Sequence, residues 1–144
     1  MTTVDSEREE VLAIATAFRS KLDHVSKDLL PVQFRYFPAG ACESTSILLA
    51  RFLELGGHPG FRVISAPHIT NDQSEVWYSH VWLCRDGLLV DITADQFNMG
   101  FPSVIVERTS DWHAQHETVE VPTAGFAPDQ MAALNRAYEV LLAQ

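Results

Sequence analysis

Three stretches of the chain repeat apolar side chains every three to four residues, the spacing of one buried face of an α-helix. The first covers residues 5–25, where Ser6 and Glu9 have the spacing of a capping box. The second covers residues 42–55 and is stopped by two consecutive glycines. The third begins at Pro128, because proline is favoured at the first position of a helix. The pattern predicts two helices early in the chain and one at its end.

Between the second and third predicted helices the pattern changes to short runs of aromatic and β-branched residues, which favour strands. The predicted strands cover residues 61–66, 76–84, 88–93 and 104–106, and 118–122 is a further candidate. The polar segment 67–75 predicts a surface loop, and residues 111–113 predict a polar connection. Helices followed by an antiparallel meander and a closing helix predict an α+β fold, in a single domain that spans residues 1–144.

The central hairpin is predicted by Asp86-Gly87, since this dipeptide suits the positive φ angles of a two-residue type I′ loop. With that loop, Trp82 pairs with Asp91 and His80 pairs with Thr93. Because side chains alternate between faces along a strand, all four then share one face of the sheet. Asp91 is the diagonal neighbour of His80 and lies within reach of its ring. A three-residue loop would reverse the parity and separate the imidazole from the carboxylate.

The composition narrows the classes of function. Ten basic against nineteen acidic residues give a net charge of −9, which argues against nucleic acid or an anionic membrane surface as the main partner. The sequence contains no apolar run of the roughly 20 residues that a membrane span needs, and its acidic N-terminus does not resemble a signal peptide. Two cysteines without a secretion signal predict free thiols in a reducing compartment, so we expect a cytoplasmic protein. The oligomeric state stays open.

Cys42 stands where a loop that contains Pro38 and Gly40 meets the second predicted helix. A thiol at a helix N-terminus lies among unpaired backbone N–H groups and at the positive end of the helix dipole, which favour a thiolate. A free cysteine is more often a small buried core residue, so position alone does not decide. The hairpin adds an imidazole at His80 and a carboxylate at Asp91. Together the three are the parts of a Cys-His-Asp triad: a nucleophile, its base, and the group that orients the base.

These segments resemble the transglutaminase-like branch of the papain-like cysteine enzymes. In that branch Gly-x-Cys opens a helix that ends at a glycine-marked turn, as Gly40-Ala41-Cys42 and Gly56-Gly57 do here. A strand with His-x-Trp follows, matched by His80-Val81-Trp82, and then a strand that ends Asp-x-Thr, matched by Asp91-Ile92-Thr93. The resemblance covers residues 36–97. The leader peptidases of lasso-peptide biosynthesis are similar in the same respect.

The resemblance implies a papain-like core, in which a helix that begins with the cysteine packs on an antiparallel sheet. It implies Cys42 as nucleophile, His80 as base and Asp91 as orienter, with a peptide or protein as substrate and no cofactor or metal. The thiol would attack a peptide bond or a glutamine side chain to give a thioester. Proteolysis, deamidation and transamidation share this chemistry and differ in the acyl donor and in the attacking water or amine.

A second set of residues is predicted to support the reaction. The papain-type oxyanion glutamine would stand six residues before the cysteine, and Tyr36 occupies that position. The backbone N–H of Cys42 is one candidate donor to the oxyanion, and Gln33 or Tyr36 is the second. Glu43 stands where many relatives have tryptophan. Gln96, which follows the aspartate strand, either supports the site through hydrogen bonds or caps a turn.

Two other hypotheses remain open for the same residues. Cys42, His80 and Asp91 are also an acceptable set of zinc ligands if a water molecule supplies the fourth position. Alternatively, the protein is a non-catalytic binding module that keeps the papain-like fold and uses the 67–75 loop as its contact surface.

The remaining titratable side chains are interpreted as structural or solvated. Cys84 falls on the face of His80 at the turn end of its strand, and we interpret it as structural. His113 and His116 have a His-x-x-His spacing, for which a solvated loop is the preferred interpretation. His58 and His68 lie beside glycine and proline, which predicts surface positions.

Overall fold

The computed structural model describes residues 5–70, 77–123 and 126–144. These residues form an α+β fold, with helices packed on one five-stranded antiparallel sheet. The helices are α1 (Ser6–His24), α2 (Cys42–Leu55), α3 (Asp111–Ala114) and α4 (Pro128–Leu142), and short 3₁₀ helices span Lys27–Leu29, Val32–Phe34 and Ala94–Phe97. The strands are β1 (Arg62–Thr70), β2 (Trp77–Arg85), β3 (Leu88–Asp91), β4 (Ile105–Glu107) and β5 (Val119–Glu120). The predicted α+β class is confirmed.

The sheet has the strand order β4-β3-β2-β1-β5. In the hairpin of β2 and β3, Arg85 lies opposite Leu88 and Cys84 lies opposite Leu89. The connection is therefore the predicted two-residue loop, with φ of 48° at Asp86 and 82° at Gly87. These left-handed angles are the ones that a type I′ turn requires, and glycine adopts them without a steric cost.

Two predicted element boundaries around the hairpin are wrong. Pro67–Thr70 belong to β1 rather than to a loop, because β1 resumes its pairing with β2 at Ile69 opposite Tyr78 after an irregularity that begins at Ala66. The rest of the predicted loop, residues 71–75, and Val76 lie outside the described residues. The third strand ends at Asp91, so Ile92 and Thr93 leave the sheet and lead into the 3₁₀ helix Ala94–Phe97.

The helix starts agree with the sequence pattern except at α1. There the N-cap is Asp5, whose carboxylate accepts a hydrogen bond from Arg8 N at 3.2 Å, and Ser6 is the first helical residue. The Asp5 carboxylate also pairs with Arg108, at 2.9 Å, and a negative charge is favourable at a helix N-terminus. The predicted polar connection at 111–113 is the single-turn helix α3. Within the described ranges, no helix combines the length and the apolar character that crossing a membrane requires.

The two faces of the sheet are covered by different structures. The aliphatic face, formed by Val63, Val81, Leu83, Leu88, Val90 and Val106, packs with apolar side chains of α1, α2 and α4 in the main core. The aromatic face carries Ile64, Ala66, His80, Trp82, Cys84, Leu89 and Asp91, and Trp112 of α3 packs on it. Strand alternation assigns each side chain to its face, because directly paired residues share a side. The polar residues of interest therefore lie on the aromatic face.

Candidate active site

β2 and β3 each place one polar side chain on the aromatic face near the open end of the hairpin. His80 Nε2 lies 2.7 Å from Asp91 Oδ2. Both side chains are enclosed, with 0% of His80 and 1% of Asp91 exposed to solvent. The contact follows from the parity of the two-residue loop. The predicted contact is confirmed, and the predicted roles stay predictions.

The Asp91 carboxylate accepts three hydrogen bonds from within the protein. His80 Nε2 and His113 Nε2 both contact Oδ2, the second at 2.8 Å, and Thr93 N donates to Oδ1 at 3.0 Å. Burial by itself raises the pKa of Asp91, but the hydrogen bonds from His113 and His80 outweigh it and hold the pKa well below its usual value. Asp91 is therefore a buried carboxylate that stays ionised and fully hydrogen-bonded.

α2 is fixed to the sheet beside His80. Ser46, one turn after Cys42, donates a hydrogen bond to Val81 O at 3.3 Å, and both residues are buried. Leu48, Leu49 and Leu53 of the same helix lie in the main core. Because the helix is held by a polar contact and by apolar packing, its first residue has a defined position relative to β2.

Cys42, at the start of α2, lies near enough to His80 to affect the protonation of its ring. Asp91 contacts Nε2 of the same ring. Burial alone would lower the pKa of His80, but the hydrogen bond with Asp91 and the neighbouring Cys42 thiol outweigh it and raise the pKa to about 9. The three residues predicted from the sequence are thus brought together in the order thiol, imidazole, carboxylate.

Gln96 contacts the Nδ1 side of His80. Its side-chain nitrogen lies 3.2 Å from Nδ1, so the predicted support through a hydrogen bond is present. The amide nitrogen donates to a neutral ring, and an amide turned by half a rotation would accept from a protonated one through its oxygen. Gln96 belongs to the 3₁₀ helix that follows β3, which explains how a residue outside the sheet reaches the ring.

Aromatic side chains surround the His80 ring. Phe97 packs edge-on with its centroid 4.9 Å from that of His80, Trp82 lies at 5.7 Å, and Trp112 of α3 lies at 5.9 Å. These contacts restrict the ring to one orientation and exclude water from it. Trp82 also packs with Ala66 and Ile69 in the smaller apolar cluster of this face.

His113 belongs to this buried cluster, although the sequence predicted that it lies in a solvated loop. The prediction is wrong, because Ser110 caps α3 and the turn folds the His113 ring onto Asp91, leaving 3% of the residue exposed. His116 is half-buried and packs edge-on against Trp112, with centroids 5.0 Å apart. Burial lowers the pKa of His116. The signals in the sequence were the His-x-x-His spacing and the Ser110-x-x-His113 cap.

The structure separates the two predicted side-chain donors to an oxyanion. Tyr36 is 76% exposed, because Phe34 of the preceding 3₁₀ helix takes the core position. Gln33 donates to Ser44 Oγ at 3.0 Å and lines a cavity of about 470 Å³ together with Gly40 and Glu43, beside the start of α2. An oxyanion donor needs a fixed position near the nucleophile, so the geometry favours Gln33 over Tyr36.

The backbone at the start of α2 suits the other predicted donor. The N-cap residue is Ala41, whose side chain has no hydrogen-bond acceptor for the first-turn N–H groups. Gly40 before it has φ of +79°, an angle that side chains rarely tolerate. The N–H groups of Cys42 and its neighbours are therefore oriented by the helix and are not capped by a side chain.

The same cluster contains three possible metal ligands, but they are not the three that the sequence suggested. Among the described residues, His80, Asp91 and His113 each offer a ligand atom, and these atoms lie within 4.8 Å of one another. The zinc hypothesis named Cys42 in the place of His113. Each of these atoms has a hydrogen-bond partner in the protein, at 2.7 and 2.8 Å. The donor set fits zinc by type, and the close shared contacts on one oxygen fit bound protons better.

The other titratable residues lie away from His80. Cys84 sits at the turn end of β2 and lines a different cavity of about 470 Å³ on the aromatic face, with Trp82 and His113 in its walls. His58 contacts Glu10 Oε2 at 3.1 Å, and its side chain is only 13% exposed, so it is less of a surface residue than predicted. His68 is exposed on β1.

The chain was compared with family models, curated proteins and solved structures. No family model matches the chain, and no curated protein or solved structure shows significant similarity to it.

Proposed function

We propose that this protein is a thiol-dependent hydrolase or acyltransferase that acts on an amide through a thioester at Cys42. The observation that carries the proposal is the buried hydrogen bond between His80 and Asp91, with Cys42 beside that ring at the start of α2. In this proposal His80 takes the proton of the Cys42 thiol, and Asp91 stabilises the imidazolium that results.

In the first half of the reaction, Cys42 Sγ attacks the amide carbonyl carbon and a tetrahedral oxyanion forms. The N–H groups at the start of α2 donate to this oxyanion, and Gln33, whose amide donates to Ser44 of the same helix, is the proposed second donor. The His80 imidazolium gives its proton to the departing nitrogen as the C–N bond breaks. A thioester and a free amine or ammonia result.

In the second half, a water molecule or an amine attacks the thioester carbonyl, and neutral His80 takes the proton of the attacking group. The C–S bond breaks, the thiolate is restored, and the ring is again an imidazolium. Asp91 stays ionised throughout and stabilises the cationic ring in both halves. Attack by water completes proteolysis or deamidation, and attack by an amine completes transamidation.

The fold that we propose is a papain-like core of the transglutaminase-like type, with a peptide or protein as the substrate. Three features support it: a helix that begins at Cys42, an antiparallel sheet on which that helix packs, and a hairpin that supplies His80 and Asp91. The cavity of about 470 Å³ that Gln33, Gly40 and Glu43 line lies at the start of α2 and is of a size for one side chain of a substrate.

The test is selective alkylation, because the two free cysteines provide an internal comparison. Iodoacetamide at neutral pH is expected to modify Cys42 at least about tenfold faster than Cys84, since only Cys42 has an imidazolium and a helix N-terminus beside it. His80→Gln should slow Cys42 and leave Cys84 unchanged. Glutamine can still donate to Asp91 but cannot hold the thiol proton. Mass spectrometry of the two cysteine peptides over time gives both rates in one sample.

The competing class, a binding module with an unreactive thiol, predicts a different outcome. Equal rates at Cys42 and Cys84, or a Cys42 rate indifferent to His80→Gln in a protein that stays folded by circular dichroism, would favour the module. Selective labelling that disappears in His80→Gln would favour the enzyme. Cys42→Ala serves as the blank that assigns the remaining label to Cys84.

A further inference from the structure

Asp91 is shared by two imidazole rings, and the triad uses only one of them. His80 and His113 approach the same oxygen, Oδ2, through their Nε2 atoms at 2.7 and 2.8 Å. Their ring centroids are 6.5 Å apart with an angle of 38° between the planes. A carboxylate with a single partner in a packed core can rotate, whereas one held by two rings and a backbone N–H cannot.

Ser110 sets which nitrogen of His113 carries a proton. Its hydroxyl lies 2.6 Å from His113 Nδ1, and the same oxygen accepts the backbone N–H of His113 as the N-cap of α3. The hydroxyl hydrogen is then directed at Nδ1, and the ring proton lies on Nε2, facing Asp91. His113 is thereby a hydrogen-bond donor to the carboxylate.

The packing around α3 favours this arrangement further. Trp82 and Trp112 both stand edge-on to the His113 ring, with centroids 4.8 Å away in each case. The residue is buried like His80 and Asp91, at 3% exposure. A ring so confined holds its donor in one direction, as residues that orient a reactive group need to.

We propose that His113, oriented by Ser110, is a positioning residue that holds Asp91 in register with His80, so that the reactive unit is Cys42–His80–Asp91–His113. The inference rests on the proposed thiol chemistry for its consequence and on the hydrogen bonds for its geometry. The inference gives α3 a role in the site, because this short helix covers the aromatic face and carries His113.

The experiment compares two substitutions at one position. His113→Gln keeps an N–H donor near the position of Nε2, and His113→Leu has a similar volume without a donor. The Cys42 alkylation rate is measured from pH 5 to 9 by mass spectrometry. The protonation of His80 is followed by ¹⁵N NMR over the same range, and circular dichroism confirms that each variant is folded. His116→Gln, on the same turn but without a bond to Asp91, is the matched control.

We expect His113→Leu to slow Cys42 labelling by about tenfold or more at neutral pH, the size of effect that losing the support of an oriented ligand has at other sites. The His80 titration should move to lower pH in the same variant. His113→Gln should stay within about threefold of the wild type, and His116→Gln within about twofold. Ser110→Ala should lie between, because it frees the tautomer of His113 without removing the ring.

Three outcomes would overturn the proposal. A folded His113→Leu with an unchanged rate and an unchanged His80 titration would make His113 a packing residue. A glutamine variant as impaired as the leucine variant would mean that the donor is not what matters. Stoichiometric zinc in the purified protein that is lost in His113→Leu would make the cluster a metal site instead. Failure of the thiol chemistry itself appears separately, as equal labelling of Cys42 and Cys84 in the wild type.

Discussion

β2 has buried side chains on both of its faces. Those on the aliphatic face are apolar, whereas the aromatic face also buries polar and titratable groups. On the aliphatic face Leu83 is 0% exposed among apolar side chains of α1, α2 and α4. On the aromatic face, three residues earlier in the strand, His80 is equally buried but touches a carboxylate and an amide. The same degree of burial therefore has opposite energetic signs in the two places.

The difference teaches where stability and reactivity reside. Burying Leu83 releases water from apolar surface and needs only a partner of the right volume. Burying His80 and Asp91 costs free energy unless every polar atom is paired, so the aromatic face requires the whole set of partners at once. We expect substitutions on the aliphatic face to change stability alone, and substitutions on the aromatic face to change reactivity as well.

The largest effect is expected from Asp91→Asn on the aromatic face. If the NH₂ group of asparagine faces the two imidazoles, it cannot accept their hydrogen bonds. In either orientation the side chain has no negative charge, so it no longer stabilises the His80 imidazolium. Cys42 alkylation at neutral pH should fall by about a hundredfold or more. The free energy of unfolding should fall by about 3 kcal/mol, because buried N–H donors lose their acceptor. Urea denaturation and timed alkylation of the folded protein measure the two effects. If Cys42 in Asp91→Asn were alkylated at the wild-type rate, Asp91 would have no role in the reactivity of the thiol.

Leu83→Ala is the counterpart on the aliphatic face of the same strand. The loss of buried methyl groups and the cavity left behind should lower the free energy of unfolding by about 3 kcal/mol. Under conditions where the variant stays folded, the Cys42 alkylation rate should stay within about twofold of the wild type, since Leu83 points away from His80. A loss of reactivity as large as in Asp91→Asn would mean that the two faces are not separable.

The smallest effect is expected from pH, and it belongs to the aromatic face alone. The folded protein holds the His80 proton more tightly than the unfolded chain, since the pKa is raised from 6.5 to about 9. Protonation of His80 therefore adds stability that is fully present below pH 6.5 and is lost as the pH rises through about 9. Urea denaturation from pH 6.5 to 8.5 should show a loss of about 2 kcal/mol.

Two variants locate this dependence. His80→Gln should flatten the profile, because it removes the titrating ring, and Leu83→Ala should lower the profile as a whole without changing its slope. A wild-type profile whose slope matches that of His80→Gln would mean that the ring holds no extra proton in the folded state.

The parts of this site that local rules govern were predictable from the sequence. The start of α2 at Cys42 follows from apolar periodicity and a preceding glycine, and the Asp86-Gly87 dipeptide determines the loop length of the hairpin. Loop length in turn determines strand parity, so the contact of His80 with Asp91 could be predicted although eleven positions separate them. Each of these rules acts over a few residues, where backbone geometry leaves few alternatives.

Only the tertiary structure determined which residues surround the pair of His80 and Asp91. His113 lies 22 positions from Asp91, and its arrival depends on where the chain turns after β4, on the Ser110 cap and on the packing of Trp112. Tyr36 and Gln33 were both candidates in the sequence, and only the hydrogen bond of Gln33 to Ser44 separated them. The charge states depend most on such contacts, because the cost of burying an ionised group is a property of everything around it. Residue order predicts which groups a hairpin aligns, whereas the balance of desolvation and hydrogen bonding exists only after distant segments have enclosed them.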